Sequence, residues 1–583
     1  MVNRRISIIA FLEAAILKAH ENWGPSLQLE SPPHLDGKLA YDLAIPCFPM
    51  AKLEKKSPAK IAEALAEELK ATKDSLGLEL VEAVNAYVNI RFKSDLLGRC
   101  LMEQSGQALA GSELALSSEK IVVDYSSPNI AKPFGIGHLR STNIGAAICR
   151  IYKALGAQVV RINHIGDWGT QFGKLIVAYK RFGSADFVKG DPINNLFKLY
   201  VEFHEKEKED PALLDEAREW FVRLEKGDEE ARELWGWFKD VSYHEFKKIY
   251  ERLGVEFDFI TGESFYNQLM EESVQRLEEA ELLKDSEGAK IVDLEAYGMP
   301  PCLIKKSDGS TLYATRDLAT AEYRMKTFHP SKLVYVVGSE QKLHFQQVFK
   351  VLELMGYSWA KNYVHVDFGL IKFPDGKMST RQGKIILLED VLNQAEQEAL
   401  RIIDEKQNER PEEKRLTQAE RLEAARWIGM GAVMFFDLKS RRTKDILFDW
   451  NEILSFEGDS GPYLQYTSVR LKALLERAYT EFPELRSNQE SIPALATEAE
   501  RELALSLLSF PAHVEAAARE FEPSIVSNAL LDLAAVFNRF YMNVSILKGE
   551  EELRAGRLQL VRLCLESLEC GLGLLGIKCP NKM

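Results

Sequence analysis

The feature that most constrains the fold is a pattern of strand, loop, helix and strand over residues 120–163. KIVVDY (120–125) is a short apolar run typical of a buried strand, and AQVVRIN (157–163) predicts the next strand. Between them, apolar residues recur with the period of one helical face and the run ends at Gly156; these residues are Ile144, Ile148, Ile151, Tyr152 and Leu155. The pattern predicts a βαβ unit, in which the loop SSPNIAKPFGIGHLRST (126–142) joins the carboxyl end of a strand to a helix N-terminus. A loop at a helix N-terminus is a suitable binding site for a phosphate group.

Changes of pattern divide the 583 residues into three predicted domains. Residues 1–112 combine a polar, proline-containing stretch, a helix that begins at Ser57 and Pro58, and the strand-like AYVNIRF, which predicts an α+β domain. Residues 113–455 hold the βαβ unit, a charged helical insertion at about 185–256, and the strand-like runs KIVDL, LYAT, KLVYVVG and NYVHVDFGLI. Residues 456–583 are helical by period and predict a separate bundle.

Composition excludes several classes of protein. The seven cysteines are scattered without a CxxC pair, which argues against a zinc site or a disulfide framework and favours a reducing cytosol. No segment is long and apolar enough to cross a bilayer, and the N-terminal apolar stretch contains Glu13 and Lys18, so we expect a helix there rather than a signal peptide. The net charge of −14 means that any affinity for nucleic acid has to be confined to one face. KSRRTK (439–444) is the densest basic cluster, and a solvated loop is its simpler interpretation.

A second glycine-bounded loop, FPDGKMSTRQGK (373–384), lies far downstream of the first and exposes several basic side chains. Alone, it is compatible with a charged hairpin, just as glycines at a strand-to-helix turn can serve turn geometry only. Together, a His/Gly helix start and a basic loop are what a site uses to hold ATP and to neutralise a pyrophosphate leaving group.

GIGH and KMSTR resemble the two signature motifs of class I aminoacyl-tRNA synthetases, and their surroundings resemble the arginyl-tRNA synthetases. The stretches that carry the resemblance occur in the family's order: DYSSPNIAKPF, GHLRST, NHIGDWGTQFGKL, GESFY, LYATRDLA, SEQKLHFQQVF, KMSTRQGK and GPYLQY. The resemblance implies a Rossmann-type parallel-sheet core, an N-terminal tRNA-contacting domain and a C-terminal anticodon-binding bundle. It also implies a cytoplasmic monomer that ligates L-arginine to tRNA through an arginyl-adenylate, with magnesium carried by ATP and no metal cage in the protein.

Arginine itself constrains the pocket, because a guanidinium has five donors in a planar fork and calls for carboxylates and polar or flat partners. Tyr313 and Asp317 are four residues apart and share a face if their stretch is helical. By resemblance these two bind the substrate side chain, with Glu263 and Gln341 beside them. The resemblance also assigns the amino acid's own amino and carboxylate groups to three further residues, Ser127, Asn129 and His138.

The resemblance assigns catalysis to Lys132, His138, Lys377, Ser379 and Arg381, and ATP binding to Gly135, Gly137, His138, His164, Lys377 and Met378. For His164 a purely structural role is an equal alternative. Within the two signature loops the sequence departs from the family in two places: Gly135 stands where the first motif usually has histidine, and Thr380 where many class I enzymes have lysine. In the arginyl enzymes a lysine just before the first loop compensates for the second change, and here that residue is Lys132. A glycine required for positive φ is the alternative explanation of Gly135. The N-terminal domain has DGKLAYDLA and EAVNAYVNIRF in place of the family's Gly-Asp-Tyr and Gly-Pro-Gly-Phe stretches.

For tRNA, the candidates in the helical part are Tyr463, Gln465, Tyr466 and Arg470, a mixture suited to stacking bases and holding phosphates. Core packing is the simpler interpretation of Tyr463. Two other functions stay open at this point. One is an RNA-binding relative that has lost amino-acid activation, which Gly135 alone favours, and the other is an adenylate-forming ligase that uses no tRNA, against which the helical C-terminal part argues.

Overall fold

The computed structural model describes residues 8–27, 41–109, 112, 114–307, 313–373, 386–486 and 490–583. The elements of its N-terminal part are α1 (Ile8–Ala19), β1 (Leu43–Pro46), α2 (Phe48–Glu54), α3 (Pro58–Ala71), β2 (Leu78–Val84), β3 (Tyr87–Phe92) and α4 (Ser94–Glu103). The three strands form an antiparallel sheet in the order β1-β3-β2. Asn85 begins the two-residue turn between β2 and β3 with a φ of 55°, a conformation that asparagine tolerates well. The predicted helix after Ser57 and the strand in AYVNIRF are confirmed.

The central part is an α/β unit. Its elements are β4 (Lys120–Asp124), α5 (Gly137–Ala154), β5 (Gln158–Asn163), α6 (Thr170–Phe182), α7 (Ala185–Gly190), α8 (Pro192–Lys206), α9 (Ala212–Glu225), α10 (Glu229–Leu253), β6 (Phe259–Ile260), α11 (Met270–Glu279), β7 (Leu283–Ser286), β8 (Ala289–Val292), β9 (Cys302–Lys305), α12 (Tyr313–Phe328), β10 (Lys332–Gly338), α13 (Lys342–Leu354) and β11 (Tyr363–Phe368). Five strands form a parallel sheet in the order β11-β10-β4-β5-β6, so the predicted parallel sheet and its βαβ unit are confirmed.

The strand order reverses beside β4. The chain runs from β4 to β5 and β6 on one side, then returns to place β10 and β11 on the other. A ligand in an open parallel sheet binds outside the carboxyl ends of the strands, at the point where the order reverses. Ser141 of α5 marks this point, because its hydroxyl donates to the Val336 carbonyl of β10 and accepts from the backbone of Ser126, which follows β4.

Two of the predicted strand-like runs do not belong to the parallel sheet. KIVDL contributes β8, which belongs to a separate antiparallel sheet in the order β7-β8-β9. The strand prediction for LYAT is wrong where it can be compared: Leu312 lies outside the described residues, and Tyr313 begins α12. Ala314, Leu318 and Ala321 are all buried, which is the i, i+4, i+7 spacing of a helix and is too long a period to show in four residues.

The central part continues with β12 (Ile371–Lys372), α14 (Leu388–Asn408), α15 (Gln418–Leu438), β13 (Ile446–Leu447) and α16 (Trp450–Ile453). The C-terminal part, residues 456–583, is almost entirely helical over its described residues, as predicted, and its elements are α17 (Gly461–Glu481), α18 (Glu498–Glu520), α19 (Ser524–Asn543) and α20 (Glu551–Leu574). Both α15 and α18 begin with a capping box, in which a threonine and a glutamate bond reciprocally to each other's backbone N–H.

The N-terminal sheet is docked onto this helical part by a buried ion pair. Arg501 of α18 donates to both carboxylate oxygens of Asp42, at 2.7 and 2.5 Å, and to the Phe92 carbonyl at the end of β3. Asp42 also accepts from the backbone N–H of Phe92 at 2.7 Å. Because a buried charge is tolerated only when it is paired, this contact fixes how the two parts meet.

Candidate active site

Most of the predicted substrate residues lie just beyond the carboxyl ends of the sheet strands. Ser127 follows β4, His164 follows β5, Glu263 follows β6 and Gln341 follows β10. Neighbouring loops are joined directly: the Ser127 N–H donates to the Asn163 side chain, and the Glu263 N–H donates to the Ile165 carbonyl at 3.1 Å. The fold therefore gathers side chains from four distant segments at the edge where an α/β sheet binds its ligand.

The loop that begins with Ser126 is held in an unusual backbone conformation. Ser126, Ser127 and Ala131 all have positive φ, which costs non-glycine residues energy and persists only where the surroundings enforce it. Helix α10 supplies that support, because the Tyr250 hydroxyl lies 2.8 Å from the Ser126 hydroxyl and the Ser242 hydroxyl accepts from the Ala131 N–H. The predicted helical insertion is thus part of the site's framework, a role that its sequence did not indicate.

Gly137 and His138 form the first turn of α5, at the switch point of the sheet. The His138 ring lies against Phe134, and its Nδ1 is 3.3 Å from the Gly135 carbonyl. Burial, and to a smaller extent the charge of Lys132, lowers the pKa of His138. Near neutral pH this imidazole is therefore an uncharged hydrogen-bonding group beside a helix N-terminus that attracts anions.

Gly135 forms a single antiparallel bridge with Leu387. The glycines of the described ranges that have positive φ do not include it, so the positive-φ explanation of this glycine is wrong. On either side, the Ile136 N–H donates to the Ile386 carbonyl and the Leu388 N–H donates to the Phe134 carbonyl. The first signature loop is thereby bonded to the segment that follows the second one. Lys377, Met378, Ser379 and Arg381 of that second loop lie outside the described residues.

Lys132 and His164 differ in accessibility. Lys132 is exposed, and its Nζ lies 6.0 Å from the centre of the Tyr200 ring of α8. His164 is half-buried, stacks on Tyr266 and accepts at Nδ1 from the guanidinium of Arg324 at 3.4 Å, and desolvation lowers its pKa. The environment of His164 gives it a structural role at the least, which was one of the two alternatives.

Two carboxylates form the centre of the predicted arginine pocket. Asp317 Oδ2 lies 2.5 Å from His344 Nε2, and Glu263 Oε2 lies 3.4 Å from the Arg316 guanidinium. Burial, with additional repulsion from Asp167 and Asp317, raises the pKa of Glu263 to about 7 in spite of the nearby Arg316. Arg316 connects the two carboxylates, because it pairs with Glu263 and directly precedes Asp317 in the chain. Tyr313, at the start of α12, is 69% exposed, and Gln341 is exposed in the short connection between β10 and α13.

Two buried arginines that the sequence did not single out hold the site's framework. Arg324 of α12 donates to Asp124 Oδ2 at 2.6 Å, while the Ser127 hydroxyl donates to Asp124 Oδ1. Arg140, in the GHLRST stretch of α5, donates to Asp437 Oδ1 and to two backbone carbonyls, those of Gly369 and Lys444. Arg140 therefore joins the first signature helix to the chain just after β11, which leads into the second signature loop.

The candidates for tRNA contact have different environments. Tyr466 is 43% exposed, and the Arg470 guanidinium lies 4.0 Å from the centre of the Tyr541 ring. Tyr463 is half-buried and its hydroxyl accepts from Asn538. Gln465 is fully buried, and its amide donates to the carbonyls of Trp427 and Lys578, so this structure leaves its side chain no exposed surface for the predicted contact with tRNA. Its polar side chain satisfies backbone groups between helices.

The basic cluster at 439–444 is partly structural. Lys439 pairs with Glu452, and Arg442 donates to Asp367 of β11 and to the Phe521 carbonyl after α18. Within the described ranges, no group of three or more His, Cys, Asp or Glu side chains could hold a metal ion. No helix in that part of the chain is long and apolar enough to span a membrane.

The parallel sheet, the helix that begins at its switch point and the GIGH loop at the start of that helix define the catalytic domain of a class I tRNA synthetase. The family model described as "tRNA synthetases class I (R), catalytic domain" matches residues 104–450. Models of the arginyl tRNA synthetase N terminal domain and of the DALR anticodon binding domain match residues 7–92 and 464–583. The chain belongs to the arginyl-tRNA synthetase family.

Relatives and solved structures agree with this assignment. The chain is 48% identical to arginine–tRNA ligase 2 of Bacillus anthracis, with 93% of both chains covered. It is 44% identical to the arginine–tRNA ligase of Halothermothrix orenii, with 93% of this chain and 94% of the relative covered. The structure of the Thermus thermophilus arginyl-tRNA synthetase aligns over the whole of both chains with a TM-score of 0.80 and 27% identity. The resemblance seen in the sequence is confirmed.

Proposed function

We propose that this chain ligates L-arginine to its tRNA in two steps. The carboxylate of arginine attacks the α-phosphorus of ATP, a bond forms between these atoms, and pyrophosphate leaves. The 2′-hydroxyl of the tRNA's terminal ribose then attacks the carbonyl carbon of the arginyl-adenylate, and AMP leaves. The observation that carries the proposal is the pair of partly exposed carboxylates, Asp317 and Glu263, at the ligand-binding edge of the sheet.

In this proposal the pocket recognises arginine by charge and by shape. Asp317 and Glu263 face the guanidinium, while Tyr313 and Gln341 contribute a flat surface and a polar partner. Ser127, Asn129 and His138 hold the amino and carboxylate groups of the amino acid. A neutral His138 can donate a hydrogen bond there without repelling the positively charged amino group.

ATP binds where α5 begins, with Gly135, Gly137 and His138 at a helix N-terminus and His164 just after the end of β5. Magnesium enters with ATP as part of the substrate. Neither step needs a protein nucleophile, so catalysis rests on positioning and on positive charge around the reacting phosphate. Lys132, Lys377, Met378, Ser379 and Arg381 are proposed to supply that charge and those contacts.

Lys132 provides the test of the charge assignment. Loss of one charged or hydrogen-bonding contact to a transition state slows a reaction roughly a hundredfold to a thousandfold, and we expect that loss in pyrophosphate exchange by Lys132→Ala. Lys361 is the matched control, because it is exposed just before β11, at the opposite edge of the sheet. Full exchange activity in Lys132→Ala would assign the charge to the second loop instead.

We also propose roles for the three predicted domains. Residues 1–112 contact the body of the tRNA, 113–455 carry out catalysis, and 456–583 bind the anticodon, with Tyr463, Tyr466 and Arg470 near the RNA. Exposed Tyr466 and the Arg470–Tyr541 pair suit base stacking and phosphate contact. A monomer in the cytoplasm completes the proposal.

Pyrophosphate exchange with and without tRNA, together with aminoacylation by the purified full chain, tests the function. We expect exchange that depends on arginine and rejects lysine, and transfer of labelled arginine to tRNA. RNA binding without exchange would identify a relative that has lost activation. Exchange without any transfer to tRNA would identify an adenylate-forming ligase of another kind, and either result would overturn the proposal.

A further inference from the structure

His344 contacts the pocket although no substrate role was predicted for it. It lies in the first turn of α13, directly after β10 and the exposed Gln341. Its Nε2 lies 2.5 Å from Asp317 Oδ2, and the two side chains are about equally accessible, at 24% and 23% exposure. The ring packs edge-on against Phe345 at 5.4 Å between ring centres. His344 therefore reaches the pocket from a rigid helix, with its ring fixed by a neighbour.

The contact leaves one oxygen of Asp317 available. Among the described residues, His344 is the one side chain that bonds to this carboxylate, and it uses only Oδ2. A carboxylate has about four acceptor positions on its two oxygens, so Oδ1 keeps its full capacity. A guanidinium fork is a suitable partner for such an oxygen.

Two of the buried arginine–aspartate pairs in this molecule divide the carboxylate in the same way, whereas in a third Arg501 takes both oxygens of Asp42. In Asp437, Oδ1 accepts from Arg140 and Oδ2 accepts from the amide of Asn143. In Asp124, Oδ2 accepts from Arg324 and Oδ1 accepts from the hydroxyl of Ser127. In both cases a side chain other than arginine holds one oxygen, and the arginine takes the other.

We infer that His344 is a positioning residue for arginine recognition, which holds Asp317 Oδ2 so that Oδ1 faces the substrate's guanidinium. The inference rests on the proposed function, since it names the residue that orients the proposed arginine ligand. His344 acts through Asp317 and not on the reacting atoms. Its loss should therefore affect the binding of arginine and spare the binding of ATP.

The test is pyrophosphate exchange with the full chain, measured against arginine and against ATP. His344→Ala should raise KM for arginine at least tenfold, with an unchanged KM for ATP and an unchanged melting temperature. His344→Gln keeps an N–H donor at similar reach and should recover most of the loss. Gln346→Ala is the matched control, because Gln346 is exposed on the same helix and should leave all three values unchanged.

A double-mutant cycle isolates the route through Asp317. In an Asp317→Asn background, His344→Ala should cause little further loss of arginine affinity, measured by calorimetry. Fully multiplicative losses would overturn the inference, as would an arginine KM in His344→Ala equal to that of the parent chain, or a His344→Gln variant as impaired as the alanine variant. The proposed function fails separately, if the unaltered chain shows no arginine-dependent exchange.

Discussion

Two sets of carboxylates in this molecule meet positive charge in different ways. Inside the fold, Asp437 and Asp124 are buried, and both oxygens of each accept hydrogen bonds, one of them from an arginine. At the carboxyl edge of the sheet, Asp317 has one bonded oxygen, and Glu263 has a cation at 3.4 Å. In each interior pair the carboxylate already accepts a hydrogen bond from an arginine of the protein. The two pocket carboxylates can still accept hydrogen bonds from one further guanidinium, that of the substrate.

The difference has an energetic meaning. A buried pair is costly to form and costly to break, because removing one partner leaves an uncompensated charge in a medium that cannot solvate it. A buried pair is therefore suited to a permanent structural contact. A partly exposed carboxylate keeps some solvation and can exchange water for a substrate, which suits reversible binding.

The largest expected effect comes from breaking an interior pair. Arg140→Ala should lower the free energy of unfolding by about 3 to 5 kcal/mol, since it leaves Asp437 buried without its cation. Denaturant unfolding of the full chain measures this. Arg401→Ala is the control, because the pairs that Arg401 forms on α14, with Glu398 and Glu405, lie at the surface and their loss should change stability little. Equal stability of the two variants would contradict the distinction between buried structural ion pairs and the partly exposed carboxylates of the pocket.

Asp317→Asn should act on the substrate and leave the fold intact. Truncating one partner of a hydrogen-bonded charge pair costs about 2 to 5 kcal/mol, so arginine affinity should fall roughly thirtyfold or more. ATP affinity and the melting temperature should stay near those of the parent chain. Parallel titrations with arginine and ATP decide the matter, and an equal loss for both ligands would contradict the pocket assignment.

The pKa of Glu263, which burial raises to about 7, predicts a pH dependence of arginine binding. The protonated carboxyl is neutral below this value and attracts a cation poorly, so KM for arginine should fall as pH rises from 6 to 8. The slope should reach at most about tenfold per pH unit on the acid side. Glu263→Gln cannot ionise and should flatten this part of the profile, and a Gln variant with the full slope would show that another group titrates.

Arg316 gives the smallest and sharpest test. Its positive charge lowers the pKa of Glu263, against the larger effect of burial. Arg316→Met should therefore raise that pKa, and the midpoint of the arginine KM profile should move to higher pH. A midpoint that stays in place or moves to lower pH would mean that Glu263 does not set the profile.

Local pattern was sufficient for much of the fold. The βαβ unit, the helices of the C-terminal part and the strand ends that carry Ser127, His164 and Gln341 all follow from apolar periods and turn residues within short windows. The strand prediction for LYAT is wrong because four residues cannot distinguish the start of a helix from a strand. Its helical period becomes visible only when Leu318 and Ala321 are included.

Local sequence patterns could not predict the residues that hold the site together. Arg324 and Asp124 are 200 residues apart in the chain, and Arg140 and Asp437 are 297 apart. Nothing around either arginine distinguishes it from a surface arginine, because pairing across such distances is set by the packed fold. His344 lies in SEQKLHFQQVF, one of the stretches that carry the family resemblance, and its place just after a strand end is the signal that the sequence offers.

The contact between Asp42 and Arg501 determines how this molecule could be recombined. Replacing the N-terminal sheet alone with a foreign one would leave Arg501 buried without its carboxylate, and replacing the helical C-terminal part alone would leave Asp42 without its cation. The two ends of the chain therefore form one unit of exchange, although the catalytic sheet lies between them in sequence. A working chimaera would carry both ends from one parent.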